Sequence, residues 1–577
     1  MRAQDGPTGD ADRDGRTGDR RRDDGGEATA GATYDLIVIG AGINGAGIAR
    51  DAALRGLSTL LLDQGDLASG TTSWSSRLIH GGLRYLEYRE VGLVRESLRE
   101  RERLLKIAPH LVRPLPLMIP IYEGDRRGPL LIRAGMIAYD VLSFDKSLPR
   151  HAMYSVGAAL KRAPGLRREG LRGAAVYYDA QVPFAERLAV ENALDARDHG
   201  AEVRTYCRVD RLLLGEDGRT VRGVAFTDLR GGGTHEARGE VTINVAGPWV
   251  DRLLPGHGEV DRPPMVGGTK GSHIVVGPFP GAPRDALYVE AKRDGRPYFV
   301  IPWNGLYLIG TTDVRFTGDL DRVVAGEDEI AYLIEETNRV IAGADLTRDS
   351  VLYTYAGVRP LPYQADGSEG AITRRHVVRD HTPDFDGLLS VIGGKLTTYR
   401  SLAEHAVDAV VARLGRAVVP CTTAIEPLPG AKLDDGHDFE QSRQGFVARI
   451  GRTNATPAAA TRLFEIYGVR ARGVMDIADS DVYLLQPLVP TTDAIRAEVV
   501  FALREEMART LADVLLRRTM TGLGPETGVG IDVAAAEVAV RYCGWDEERA
   551  RDEVRAYRDH ITRFTPRSLG VAGVAGG

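Results

Sequence analysis

Residues 34–47 read Tyr-Asp-Leu-Ile-Val-Ile-Gly-Ala-Gly-Ile-Asn-Gly-Ala-Gly. The four consecutive apolar residues from Leu36 to Ile39 are typical of a strand buried on both faces. Three glycines follow in the spacing G-x-G-x-x-G, and a helical pattern then continues to Leu54. A second, mostly apolar run from Leu57 to Leu62 ends in an acid, Asp63. Strand, glycine turn, helix, strand and acid in this order predict a βαβ dinucleotide-binding unit.

Each glycine of this spacing, and the acid that follows it, has a separate task in such a unit. Gly40 permits the tight turn, Gly42 lets the backbone approach a pyrophosphate, and Gly45 lets the helix pack closely on the strand. The helix N-terminus offers unpaired N–H groups to the same pyrophosphate. Asp63 is placed to accept hydrogen bonds from a ribose. These residues alone do not separate NAD from FAD.

The composition is that of an ordinary globular protein with several domains. The chain has 577 residues, of which 43% are hydrophobic and 27% charged, so it is too long for a single core. The net charge of -6 gives no reason to expect a nucleic-acid partner. Cys207, Cys421 and Cys543 are far apart and form no CxxC pair, which argues against a structural disulfide or a thiolate metal site. We therefore expect a reducing compartment and no metal.

The first 32 residues are rich in Asp, Arg, Gly and Thr and have almost nothing to bury. They predict a disordered tail, without the apolar core of a secretory signal. No run in the chain approaches the ~18 apolar residues that span a bilayer. We expect a protein that is soluble or bound to a membrane surface.

The pattern changes twice after the βαβ start. From Gly268 to Tyr355 short strands alternate with turns, which predicts a mostly antiparallel sheet. The segment Leu388 to Tyr399 returns to a buried strand with two glycines and a helix, and residues from Asp434 to Phe564 have a helical pattern.

The segment from Leu130 to Phe144 has two interpretations. Leu130, Ala134, Ile137 and Val141 recur at helical spacing, and arginines cluster at its start. The pattern fits an ordinary amphipathic core helix, and it also fits a helix that lies on an anionic membrane surface.

Seven segments occur in an order that resembles one family. They are Ile39 to Asp63, Leu78 to Leu86, Ala246 to Trp249, Lys270 to His273, Ile309 to Asp313, Gly357 to Pro360 and Gly393 to Arg400. In this order they resemble the FAD-dependent glycerol-3-phosphate dehydrogenases. The resemblance covers roughly Tyr34 to Gly430 and extends to Arg504–Thr510. One departure is Gln181–Arg187, where many members carry consecutive acids.

The resemblance implies an α/β + α fold with FAD as cofactor. Its parts would be a discontinuous Rossmann-like FAD-binding domain (33–115, 171–255 and 380–415), an antiparallel-sheet substrate domain (116–170 and 256–379) and a C-terminal helical domain (431–565). The cofactor-binding residues expected are Gly40, Gly42, Ile43, Asn44, Gly45, Asp63, Thr71, Ser75, Ser76, Gly81, Gly82, Gly247, Gly394, Lys395, Leu396 and Thr397.

The implied reaction is oxidation of sn-glycerol 3-phosphate to dihydroxyacetone phosphate, with hydride passing to FAD and electrons leaving for a membrane quinone. A phosphate substrate needs fixed cations, for which arginine forks are well suited. By resemblance, the substrate-binding residues are Arg84, Tyr85, Arg359, Arg374 and Lys395. We expect Arg374 to clamp the phosphate, and Arg359 and Lys395 to polarise the reacting hydroxyl or the phosphate.

The reaction also needs a group that accepts the hydroxyl proton. We prefer His80 or His273 over Arg359 as this base, because a guanidinium stays protonated in proteins. The catalytic set expected is therefore His80, His273, Arg359 and Lys395.

Three alternatives remain at this point. A βαβ unit also fits an NAD-binding sensor without catalysis, and an amino-acid oxidase would likewise use arginines for its carboxylate substrate. A glycerol-3-phosphate oxidase would pass its electrons to oxygen. The apparent lack of a large insertion in the substrate domain favours the dehydrogenase, which would be a peripheral enzyme on the cytoplasmic face of a membrane. The residues leave the oligomeric state open, with a homodimer as the alternative to a monomer.

Overall fold

The computed structural model describes residues 33–254, 263–365, 372–433, 438–450 and 456–564. The predicted tail, residues 1–32, lies outside these ranges. The strands are, in chain order, β1 (Thr33–Ile39), β2 (Thr59–Leu62), β3 (Leu78–Ile79), β4 (Arg113–Tyr122), β5 (Ala152–Tyr154), β6 (Leu171–Gln181), β7 (Glu202–Arg204), β8 (Cys207–Leu214), β9 (Val221–Asp228), β10 (Thr234–Asn244), β11 (Thr269–Val276), β12 (Ala286–Glu290), β13 (Pro297–Trp303), β14 (Leu306–Gly310), β15 (Val314–Arg315), β16 (Val351–Arg359), β17 (Val377–Asp380) and β18 (Leu388–Ile392).

The helices alternate with these strands and then dominate the C-terminal part. They are α1 (Ile43–Leu54), α2 (Val91–Ile107), α3 (Pro129–Leu142), α4 (Val156–Arg162), α5 (Ala185–Asp198), α6 (Glu327–Val340), α7 (Tyr399–Leu414), α8 (Phe439–Ile450), α9 (Pro457–Tyr467), α10 (Ala471–Ala478), α11 (Val482–Leu485), α12 (Ala497–Glu505), α13 (Leu511–Asp513), α14 (Ile531–Tyr542) and α15 (Glu547–Ile561).

An eight-stranded sheet contains the predicted βαβ unit. Its main order is β17-β18-β10-β1-β2-β7, and β9 joins β10 to β8. Strands β7, β2, β1, β10 and β18 run parallel, while β17 is antiparallel to β18. The carboxyl ends of these parallel strands therefore meet at one edge, which is where ligands bind in open α/β sheets. Helices α1, α5 and α7 pack together beside this sheet.

A ten-stranded sheet forms the second layer. Its main order is β15-β11-β14-β13-β12-β4-β6-β3, with β16 beside β11 and β5 beside β6. All its pairs are antiparallel except that between β4 and β12. The expected mixture of a Rossmann-like sheet, an antiparallel sheet and a helical C-terminal part is confirmed.

The sheets differ from the predicted domain boundaries at several strands. The short strand β3 and the start of β4 belong to the second sheet, although residues 33–115 were predicted to belong to the FAD-binding domain. Residues Leu171–Gln181, predicted to belong to the FAD-binding domain, form β6 of the second sheet because they pair with β4 along nearly its whole length. Residues Val377–Asp380 form β17 of the first sheet, although the substrate domain was expected to extend to 379, because β17 forms a hairpin with β18. Apart from these strands, the division into three domains stays a prediction.

The C-terminal helices are joined to the first layer by buried ion pairs. Glu506 pairs with Arg187 at 2.6 Å, and Asp66 pairs with Arg518 at 2.8 Å, all four side chains being fully buried. Removing one member of such a pair leaves an uncompensated charge, which commonly costs ~3–5 kcal/mol. Arg187 ends the segment Gln181–Arg187, which departs from the family pattern. Its ion pair with Glu506 nevertheless gives this arginine a structural role.

No helix of the described ranges has the length and apolar character needed to cross a bilayer.

Candidate active site

A cavity of about 700 Å³ opens at the carboxyl edge of the parallel strands. It is bounded by the turn after β1, the acid after β2, the small-residue loop at 69–75, the turn after β10 and the turn after β18. It extends to the second sheet at Tyr355–Val358. The volume suits a cofactor, because ligand pockets commonly measure ~300–1,000 Å³.

The three glycines of the first turn occupy different environments. Gly40 has a φ of +108°, a conformation that favours glycine, and an added Cβ would lie 2.6 Å from the Val245 carbonyl oxygen. At Gly45 an added Cβ would lie 1.8 Å from the Gly40 carbonyl oxygen, so the helix packs directly on the turn. At Gly42 the nearest atom would be Thr72 Oγ1 at 3.3 Å, and the position faces the cavity.

The N-terminus of α1 points its positive end at this cavity. Gly42 is the N-cap and has no side chain that could satisfy the first N–H groups, and the first turn contains no acid. The Ile43 N–H donates to Thr72 Oγ1 at 3.0 Å. Asn44 lines the cavity, and its buried Oδ1 has no hydrogen-bond partner among the described residues. These features fit a pyrophosphate-containing cofactor.

Asp63 lies at the end of β2, as the βαβ pattern predicts. Its two carboxylate oxygens accept hydrogen bonds from the backbone N–H groups of Ala41 (2.6 Å) and Gly65 (2.8 Å). Burial raises the pKa of Asp63 despite these bonds. Each oxygen has a second lone pair, so contact with a ribose is compatible with the bonds already made.

Most of the predicted cofactor residues line the cavity. They are Gly40, Gly42, Ile43, Asn44, Asp63, Thr71, Ser75, Gly247, Gly394, Lys395 and Leu396. Gly247 and Gly394 both have positive φ, +58° and +92°, which suits the tight turns after β10 and β18.

The other predicted cofactor residues are not part of the cavity lining, and their role in cofactor binding stays a prediction. Ser76 Oγ lies 2.9 Å from His273 Nε2, and Thr397 Oγ1 accepts from the His80 N–H at 3.1 Å. The Gly81 N–H donates to Tyr139 Oη at 2.9 Å, and Gly82 begins a short 3-10 turn with a φ of +75°. Gly45, as described above, packs α1 on its strand.

Two of the three predicted substrate arginines, Arg359 and Arg374, converge on one carboxylate. Asp313 accepts from Arg359 Nη1 at 3.0 Å and from Arg374 Nη2 at 3.3 Å, and it also pairs with Arg296. Burial would raise the pKa of Asp313, but the three guanidinium groups hold it below its ordinary value. Asp313 thus brings three guanidinium groups together, and arginine groups clustered in this way are suited to binding an anion.

Lys395 and Tyr85 connect this cluster to the cofactor cavity. Lys395 Nζ donates to Ser97 Oγ at 2.6 Å and lies 4.6 Å from the centre of the Tyr85 ring. Burial lowers the pKa of Lys395 to about 7, although the negative charge of Glu96 acts to raise it. Burial raises the pKa of Tyr85, while Arg374, Arg84 and Arg359 oppose that rise. All the predicted substrate residues therefore belong to one electrostatic neighbourhood.

Both candidate bases lie beside this neighbourhood in neutral form. Burial and then Lys395 lower the pKa of His80 to about 3. Burial, with Arg359 and Arg77, also lowers the pKa of His273 well below its ordinary value. His273 Nδ1 is buried without a described partner, and its ring packs on Tyr355 with the two centres 4.8 Å apart. Neutral imidazoles can accept a proton at neutral pH.

Comparisons with known proteins give the family. Residues 35–400 match the family described as FAD dependent oxidoreductase, and residues 421–550 match the C-terminal domain of alpha-glycerophosphate oxidase. A glycerol-3-phosphate dehydrogenase of Synechocystis sp. is 47% identical over 538 residues, which are 92% of this chain and 96% of that protein. The chain belongs to the FAD-dependent glycerol-3-phosphate dehydrogenase family. The aerobic glycerol-3-phosphate dehydrogenase of Escherichia coli is 38% identical over 495 residues, 85% of this chain and 94% of that protein.

The fold of this family member agrees with a solved relative. The glycerol-3-phosphate dehydrogenase from Bacillus halodurans complexed with FAD has a TM-score of 0.74 and 27% identity, covering 93% of this chain and 96% of that one. The predictions of family, fold class and FAD as the cofactor are confirmed, and the sensor that binds NAD is set aside.

Sequence reasoning missed two groups of residues in this family member. Asp313 was quoted within a motif but was not given a role, because its importance depends on three arginines from other segments. Cys207 and Val209 of β8 and three residues at the C-terminal end also line the cavity. Only the apolar residues of β8 could have indicated that Cys207 and Val209 line a cavity.

Proposed function

We propose that this protein oxidises sn-glycerol 3-phosphate to dihydroxyacetone phosphate. The observation that carries the proposal is the cation cluster at Asp313, which lies beside the cofactor cavity and includes Arg359 and Arg374. Lys395 lies within the electrostatic influence of Arg374 and also lines the cavity. Arginine forks recognise phosphate in a bidentate manner, and three cations exceed what one carboxylate substrate needs.

The protein's own residues supply binding and proton transfer. Arg374 clamps the phosphate, while Arg359 and protonated Lys395 stabilise the negative charge that develops on the reacting oxygen. The hydroxyl proton passes to an imidazole nitrogen of His80 or His273, both of which are unprotonated at neutral pH because burial lowers their pKa values. The same lowering weakens each ring as a base, so the proton transfer relies on the bound substrate lying within hydrogen-bond reach of the nitrogen. FAD, when bound, supplies the oxidant that removes the hydride from carbon.

We further propose a membrane quinone as the electron acceptor, with the enzyme bound peripherally on the cytoplasmic face. Helix α3 supports this proposal because it has two different apolar faces. Ile132, Met136 and Tyr139 are buried in the protein. The opposite face, here called the α3 apolar face, is exposed to solvent and comprises Leu130, Leu131, Ile137, Val141 and the following Phe144.

The exposure of this face is large, since Leu130 is 84% and Phe144 78% exposed. Arg133, which is also exposed, lies on the same helix. Exposed apolar residues together with a basic residue are typical of surfaces that bind anionic lipid. Of the predicted arginine cluster, Arg127 pairs with Glu87 and Glu290, so it contributes less free charge than the sequence suggested. A quinone dissolved in lipid would reach an enzyme seated in this way.

The acceptor is tested by turnover with sn-glycerol 3-phosphate in liposomes that contain a quinone. We expect dihydroxyacetone phosphate and reduced quinone in equal amounts, with little hydrogen peroxide. Peroxide formed in stoichiometric amount, together with no binding to liposomes, would replace the quinone-linked dehydrogenase with an oxidase. Light scattering of the purified protein without liposomes would show whether it is a monomer or a homodimer.

A further inference from the structure

The C-terminal end of α15 reaches the cofactor cavity. His560, Arg563 and Phe564 line the cavity on the side of Trp249 and Asp321. No sequence pattern of the βαβ unit includes them, since they lie some 500 residues further along the chain. The helical C-terminal part therefore supplies a wall of the site that the first layer begins.

Phe564 holds this wall against the small-residue loop. Its side chain is buried, and its ring centre lies 5.3 Å from that of Trp74. Trp74 belongs to the same loop as Thr72, whose hydroxyl accepts from the first N–H of α1. The turn that carries Arg563 is thus fixed to the loop beside the pyrophosphate end of the cavity.

Arg563 forms no ion pair with any carboxylate of the described residues. Asp321, whose charge acts on it, is instead bonded to Arg252 at 3.0 Å and to Trp249 Nε1 at 2.9 Å. Burial lowers the pKa of Arg563, and the nearby charge of Arg517 lowers it further. A half-buried cation without a counter-ion is unfavourable, so the site as it stands favours an anion.

His560 adds a polar group at the same wall. Its Nε2 is buried and has no described hydrogen-bond partner. Burial, with Arg563 and Arg517, lowers the pKa of His560 to about 3, so the ring is neutral near pH 7. It can therefore donate or accept a hydrogen bond inside the cavity without adding charge.

We propose that Arg563 binds the pyrophosphate of FAD, and that the C-terminal helical part thereby closes the cofactor site. FAD carries its negative charge on the pyrophosphate, which the N-terminus of α1 in the same cavity also attracts. Arg563 adds a full positive charge to the partial positive charge of the helix N-terminus. His560 offers a neutral hydrogen-bonding group beside it. Flavin retention then depends on the docking of the C-terminal part.

The proposal is tested by dilution of the holoenzyme with measurement of released FAD by its fluorescence. Replacing Arg563 with Ala should raise the Kd for FAD by about tenfold or more, because a charge-assisted contact contributes about 1.5–3 kcal/mol. Arg563→Lys should recover part of the loss, since it keeps the charge. The matched control is Arg555→Ala on α15, the helix that precedes the turn of Arg563; the Arg555 side chain is 72% exposed and pairs with Asp552.

Thermal unfolding followed by circular dichroism separates binding from folding. If Arg563→Ala does not fold, Arg563→Lys alone decides, with a Kd between that of the unaltered protein and a tenfold increase. The proposal is overturned if Arg563→Ala retains FAD as tightly as Arg555→Ala. It is equally overturned if Arg563→Lys releases FAD as readily as Arg563→Ala, because charge would then not be the cause.

Discussion

At the scale of single residues, Arg374 is expected to matter for substrate binding. Replacing it with Ala should raise KM about 30- to 150-fold, since removal of a charge-assisted contact commonly costs ~2–3 kcal/mol. Arg375→Ala is the matched control, because Arg375 is exposed whereas the adjacent Arg374 is buried. Steady-state kinetics with a soluble dye acceptor measures both variants, and equal KM values would remove Arg374 from the site.

The pKa of Lys395 predicts a change of activity near neutral pH. If protonated Lys395 stabilises the developing negative charge, kcat/KM should fall as the pH rises through about 7, where the buried amine loses its proton. His80 stays neutral above its pKa of about 3 and contributes no fall in this range. In the variant Lys395→Arg the side chain stays charged, so the fall of kcat/KM should move to higher pH. A kcat/KM that instead rises through pH 7 would identify Lys395 as a base.

The residues of the site were predicted unevenly, for a physical reason. Local motifs indicated Arg359 and Lys395, because each lies within a short recognisable segment, and the family resemblance indicated Arg374. The role of Asp313 depends on Arg296, Arg359 and Arg374, which come from three different segments and meet only in the folded sheet. Spacing in the sequence contains no information about such a meeting.

At the scale of elements, Gly42 and Gly45 should respond differently to the same change. Gly42→Val should give a folded protein that no longer retains flavin, because the added side chain occupies the approach to the pyrophosphate. Gly45→Val should prevent folding, because its Cβ would overlap the Gly40 carbonyl oxygen at 1.8 Å. Circular dichroism and flavin absorbance of both purified variants provide the measurement. A yellow Gly42→Val protein would contradict this assignment.

The α3 apolar face provides the second element prediction. Changing Ile137 and Val141 to Asp should release the protein from anionic liposomes and leave turnover with a soluble dye intact, because both side chains are exposed. Asp at Ile425 and Val482, which are 79% and 66% exposed elsewhere, is the control and should not affect liposome binding. Co-sedimentation measures both. Unchanged binding of the Ile137 and Val141 variant would exclude this face from the membrane contact.

Helix bounds were predicted better than helix environments. The interleaved Glu and Arg residues from Val91 to Ile107 predict an exposed helix. The structure gives α2 these bounds, but the prediction of exposure is wrong, since Arg101, Glu100 and Ser97 are buried. Their charges are matched by partners distant in sequence, such as Arg400 for Glu100 and Asp179 for Arg101. A charged pattern looks solvated when those partners are unknown.

At the scale of the whole molecule, the order of motifs predicted both sheets but not every strand's place. The strand β6 follows the second sheet because ten residues of pairing with β4 outweigh its proximity in sequence to α5. The C-terminal part was predicted as helical, but its contact with the cofactor cavity through Phe564 was not. Long-range contacts of this kind leave no periodic signal in one sequence.

The central claim is that the protein oxidises a phosphorylated alcohol, with FAD held in the cavity and the substrate phosphate bound by the cation cluster. Anaerobic mixing of the yellow holoenzyme with sn-glycerol 3-phosphate tests it most directly, with flavin absorbance as the measurement. We predict that the flavin bleaches with sn-glycerol 3-phosphate and stays oxidised with glycine, sarcosine or D-alanine. Bleaching by one of these amino acids, with none by sn-glycerol 3-phosphate, would contradict the account.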